Sequence, residues 1–173
     1  LKTLPDTLIL SPLFCFSKKK LFEEIAESAS VLLDVSCESL INALNDREAC
    51  GTTYFCSGAA MPHALVPGAS RTLGVLAILD TPVGFNSIDA DPQKIDVACT
   101  FFISDRDDCE KITKLLEQVA AAFSNQDLLN SLRIARNEEW KIRKVLEQAD
   151  LLLSGQDQDT DSASHEEQGE VMP

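Results

Sequence analysis

The chain has 173 residues, of which 45% are hydrophobic, and a formal net charge of -13. That length builds one sizeable core and excludes two ordinary domains, and the charge excludes the general electrostatic footprint that nucleic acid requires. Part of the acidity is local, because Asp157, Asp159, Asp161, Glu166, Glu167 and Glu170 are not balanced by any Lys or Arg after Ser154.

The apolar run from Leu8 to Phe16 is too short for a spanning helix and contains Pro12, so neither membrane insertion nor a signal peptide is expected. Ser17 precedes Leu21, Phe22, Ile25, Ala26 and Ala29, three and four apart, which predicts a capped amphipathic helix to about Ser30. Ser36 caps a second helix carrying Leu40, Ile41 and Leu44, expected to end near Asn45-Asp46 with Arg47 at its end. Residues 51–63 read as a loop of small residues leading to Pro62-His63.

The unbroken apolar stretch Leu73 to Leu79 predicts a strand buried on both faces, and Ile95 to Ile103 a second strand. Pro82, Gly84, Asn86, Asp89 and Pro92 predict a turning connection with a short extended piece at Val83 to Phe85. Acids at Asp107-Asp108 open a helix with Ile112, Leu115, Leu116, Val119 and Phe123 on one face. Leu128, Leu129 and Leu132 mark a further helix. A last one starts near Asn137 and carries Trp140, Ile142, Val145, Leu146 and Leu153, with Trp140 read as core. The expected organisation is one domain over residues 1–153 and an acidic tail, 154–173, too polar to offset its ordering entropy. Helices, then strands, then helices indicate an α/β or α+β sandwich, with a mixed central β-sheet flanked by helices.

Six cysteines are scattered through core-forming sequence with no CxxC pair, which predicts free thiols of a cytoplasmic protein. Cys50, Cys56, Cys99 and His63 follow no common ligand spacing, so no metal and no cofactor are expected. His63 is the only histidine besides His165, which lies in the tail. A neutral imidazole nitrogen is nucleophilic and can carry a phosphoryl group if it is exposed, held in one tautomer and supplied with donors. Pro62 fixes the backbone before His63, Ala59, Ala60 and Ala64 leave room for a partner, and Arg47 can pair with phosphate. The residues by themselves leave this reading beside that of an ordinary loop or partly buried histidine.

Residues 47–64, REACGTTYFCSGAAMPHA, resemble the signature RExxGSTGxGxGxAxPH of phosphotransferase-system enzyme IIA domains of the fructose and mannitol class. Within that class the chain is most similar to the stand-alone nitrogen-regulatory enzyme IIA subgroup. The resemblance extends over most of residues 5–153, through Ser17 to Lys20, Leu79 to Phe85, Asp89, Pro92 and Ile95-Asp96. It implies a mixed sheet flanked by helices and makes His63 the acceptor of a phosphoryl group from a histidine-phosphocarrier protein. Arg47, Thr53 and Lys111 become phosphate-site neighbours, and a regulated transporter, kinase or other signalling protein becomes the downstream partner.

Two departures stand out. Tyr54 and Cys56 replace the glycines usual before the histidine, and Lys111 stands where many relatives place a second histidine. A lysine supplies charge but cannot take a proton from His63 near neutral pH. Two other outputs compete with regulatory signalling: delivery of the phosphoryl group to an enzyme IIB in fructose or mannitol uptake, and an interaction module that is not phosphorylated.

Overall fold

The apolar run at Leu73 to Leu79 lies in the middle of the molecule, because alternate residues of it face two separate hydrophobic layers. In the computed structural model, which describes residues 5–85 and 93–162, the elements follow in a fixed order. They are β1 (Thr7–Leu13), α1 (Lys18–Leu33), α2 (Cys37–Ala49), β2 (Tyr54–Cys56), β3 (Ala59–Ala60) and β4 (His63–Val66). There follow β5 (Leu73–Gly84), β6 (Lys94–Ser104), α3 (Cys109–Phe123), α4 (Gln126–Ala135) and α5 (Glu139–Ser162).

The six strands form one mixed sheet in the order β1-β5-β6-β3-β2, with β4 also paired to β6. β1 runs parallel to β5, β5 antiparallel to β6, and β3 and β4 parallel to β6. Val75, Ala77, Leu79 and Phe102 pack under α1 and α2 against Leu21, Phe22, Ile25, Leu40 and Leu44. Leu76, Ile78, Val97 and Phe101 pack against Val119, Phe123, Leu129, Leu132 and Ile142 of α3 to α5. The expected sandwich is the observed one.

The first helices start where their caps place them. The Ser17 hydroxyl accepts from the Lys20 amide and the Ser36 hydroxyl from the Ser39 amide. α1 runs to Leu33, where Asp34 in the left-handed region ends it. α2 continues past the expected stop at Asn45-Asp46 to Ala49, which puts Arg47 inside its last turn. The connection after Leu79 is a correction. β5 runs on to Gly84, with its register to β6 shifted between Ile78 and Val83, so Pro82 sits at an irregularity that needs no ladder amide.

β1 has no counterpart among the expected elements. It is an edge strand, and the edge tolerates Pro12. Trp140 is the second correction: at 56% exposure it lies off the buried stripe of Ile142, Ala149 and Leu153 and beneath the ammonium groups of Lys141 and Lys144. α5 passes the expected domain boundary and extends to Ser162. Asn86, Asp89, Pro92 and the rest of the tail, with His165, lie outside the described residues.

All six cysteines are free. Among the described residues no helix is long and apolar enough to cross a membrane.

Candidate functional site

The segment from Gly51 to His63, expected as a loop, is instead built into the sheet. Gly51, at φ +148, turns the chain out of α2. Tyr54–Cys56 and Ala59–Ala60 then form a tight hairpin whose two central residues, Ser57 and Gly58, have φ of 44 and 81. Paired positive φ values give the turn whose twist matches antiparallel strands.

The hairpin tip is clamped from the neighbouring elements. Arg133 of α4 forms a two-point pair with Asp96, at 3.1 and 2.9 Å from Nε, and donates from Nη2 to the Ser57 carbonyl at 2.7 Å. The Asp96 and Val97 amides both donate to the Gly58 carbonyl. A Cβ at Gly58 would stand 2.9 Å from Arg133 Nη2, the far end of a side chain that can shift, and it is the φ of +81 that calls for glycine there. Tyr54 packs against the α1–α2 core, and Cys56 against the α3–α5 core. The bulk that replaces the usual glycines thus goes into packing.

His63 opens β4, opposite Phe101 in parallel register, after the Pro62 carbonyl has accepted from the Phe101 amide at 2.9 Å. Its ring is partly buried and held at both nitrogens. Nδ1 lies 2.9 Å from the Met61 carbonyl oxygen. A carbonyl only accepts, so this geometry assigns the proton to Nδ1 and leaves the lone pair on Nε2. Arg47 Nε donates to that lone pair over a long 3.4 Å, while Arg47 Nη1 donates to the Gly51 carbonyl at 2.9 Å. The guanidinium is thereby fixed beside the ring, with further N–H donors for a phosphoryl oxygen.

In front of the ring is a shallow open groove lined by Asn42, Ala43 and Asp46 of α2, together with Arg47, His63 and Leu65. Leu65 is 58% exposed and gives the rim an apolar contact.

The expected neighbours of His63 separate into three cases. Arg47 touches the ring. Thr53 is 6% exposed, and its hydroxyl donates to Glu48 Oε1, so its side chain braces the segment behind the ring. Lys111 is exposed in the first turn of α3 and does not line the groove.

Sequence reasoning did not single out Met61, whose carbonyl sets the tautomer, or Glu48 and Lys18 behind it. Glu48 is visible in the signature beside Arg47, but on a helix one residue turns the side chain by roughly 100°. It therefore serves a different side of the site from Arg47.

The structure thus has a mixed sheet between two helical layers, with His63 on an edge strand beside Arg47. The sequence matches the family described as phosphoenolpyruvate-dependent sugar phosphotransferase system, EIIA 2, over residues 3–149, and the chain belongs to that family. A nitrogen regulatory protein of Bradyrhizobium diazoefficiens is 30% identical over 131 residues, 76% of this chain and 84% of that protein. One from Klebsiella oxytoca is 31% identical over 130 residues, 75% of this chain and 78% of that protein. The crystal structure of nitrogen regulatory protein IIA-Ntr from Neisseria meningitidis is similar with a TM-score of 0.68 at 25% identity, covering 77% of this chain and 90% of that one. IIA mannitol from Escherichia coli shares the fold, with a TM-score of 0.65 at 15% identity over 80% of this chain and 94% of that one.

Proposed function

We propose that this chain is a cytoplasmic regulatory component of a phosphotransferase system. In this reading it accepts a phosphoryl group on Nε2 of His63 from the phosphohistidine of a small carrier protein. The observation that carries the reading is the two-point hold on the ring, in which Met61 fixes the proton on Nδ1 and Nε2 keeps its lone pair at the groove.

The step is an in-line displacement. The Nε2 lone pair forms a bond to phosphorus as the bond from phosphorus to the carrier's imidazole breaks, and the carrier nitrogen keeps that electron pair. His63 gains positive character that it shares with Nδ1–H, and the Met61 carbonyl stabilises it. Arg47 leaves the lone pair as phosphorus arrives and takes up a phosphoryl oxygen, where a charge-assisted bond is stronger than its long contact with the neutral ring. Thr53 braces the segment that bears Met61. Lys111 is the proposed source of additional positive charge from α3.

The output follows from the charge. A phosphoryl group adds negative charge beside Leu65 and Asp46, and so changes which surfaces of a transporter, kinase or other signalling protein can pack in the groove. The names of the relatives support a regulatory role over sugar delivery.

Intact mass after mixing with an active, phosphorylated carrier tests this proposal. Wild type should gain one acid-labile phosphate and His63→Ala should gain none. Equal and unmodified masses for both would leave the interaction module that is not phosphorylated as the surviving reading.

A further inference from the structure

Both nitrogens of the His63 ring trace back to consecutive residues of α2. Arg47 reaches Nε2 directly. Glu48 reaches Nδ1 through a chain of contacts: its Oε1 accepts from the Thr53 hydroxyl, the Thr53 carbonyl accepts from the Met61 amide at 3.0 Å, and the Met61 carbonyl takes Nδ1–H at 2.9 Å.

The far end of this chain is also held. The Glu48 side chain is only 8% exposed, and a carboxylate so enclosed is costly unless both oxygens are satisfied. Its second oxygen, Oε2, accepts from Lys18 Nζ at 2.9 Å. The same ammonium lies 4.2 Å from the Phe85 ring centroid and 5.7 Å from that of Phe22.

Lys18 is an odd choice for α1 considered by itself. It is the first helical residue, at the positive end of the helix dipole, and the first turn contains no acid. A residue that runs against local preference has a tertiary reason, and Glu48 supplies it. The ion pair joins the start of α1 to the last turn of α2, directly behind the segment that carries Thr53.

We infer that Lys18 and Glu48 are positioning residues for His63: their ion pair fixes Thr53 and, through Thr53 and Met61, holds the imidazole in its Nδ1–H form. The inference rests on His63 being the phosphoryl acceptor, but the tautomer exists in the unmodified protein and can be read with no carrier present. Neither residue touches the reacting atoms. Their contribution is to keep the proton off the attacking nitrogen.

Nitrogen-15 NMR of the imidazole, recorded on the free protein at alkaline pH, tests the inference. Wild type should show the Nδ1–H form. Glu48→Gln removes the charge at constant size, and Lys18→Met keeps the aliphatic stem over Phe85. Both should move the population toward Nε2–H and slow phosphoryl uptake by roughly ten-fold, the lower end of what loss of an outer partner does at a metal-ligating histidine. Should Glu48→Gln not fold, Thr53→Val removes only the hydroxyl donor and should move the population in the same way, whereas Thr53→Ser should restore it. Nε2–H in wild type, or a tautomer population unchanged in folded Glu48→Gln or in Thr53→Val, overturns the inference. A shifted tautomer in a protein that never gains phosphate supports the positioning roles and rejects phosphoryl acceptance.

Discussion

The surroundings of His63 make its two nitrogens unequal, and a buried residue nearby shows how strongly this interior can act on a titrating group. Burial pushes the Cys99 thiol from its ordinary 9.0 up to about 12. The folded chain then keeps a proton that the unfolded chain gives up. Stability from this group is therefore complete below pH 9 and is lost as pH rises toward 12. Urea unfolding across that interval should show a flatter alkaline decline for Cys99→Ala than for wild type, and equal declines would acquit the thiol. The Arg47 and His63 pairing was legible from the signature. The Glu48 relay was not, because its partners stand far before it and just after it in the chain, at Lys18 and Thr53, and only folding brings all three together.

Elements differed in how plainly they could be read. Helices with a wide apolar stripe declared themselves, since three- and four-residue spacing needs no tertiary knowledge. β2, β3 and β4 did not, being three, two and four residues long, too short for an alternation to be detected. Their strand character comes from pairing, β3 and β4 with β6 and β2 with β3. Trp140 shows the opposite failure, because a large apolar residue near a helix start was assigned to the stripe although it lies beside it. Truncation separates the two positions: Ile142→Ala should cost about 2–5 kcal/mol in chemical denaturation, and Trp140→Ala less than about 1 kcal/mol. A similar loss for both would mean that Trp140 is packed after all.

For the whole molecule, β6 is the strand on which everything meets. It pairs with β5 along one side and with β3 and β4 along the other, and its two faces belong to different cores. Native-state hydrogen exchange should therefore be slowest for amides at the centre of β5 and β6 and faster along β4, which has β6 as its strand partner. Uniform protection across all four-residue and longer strands would contradict this picture. The sandwich itself could be read from the sequence because buried strands and capped helices carry local signals. The site could not be fully read, because a register between β4 and β6 is a relation between distant segments.

That register has one more consequence. Ala59 lies opposite Val97, Ala60 opposite Ala98, and His63 opposite Phe101 at the same offset, so the short stretch between β3 and β4 contains no slack. Successive residues of a strand point to opposite faces, and one residue added or removed there would turn the imidazole away from Arg47. A chain lengthened at that point would keep every letter of its signature and lose the contact that gives the signature meaning. The number of residues between Ala60 and His63 is as much a part of the arrangement as the histidine itself.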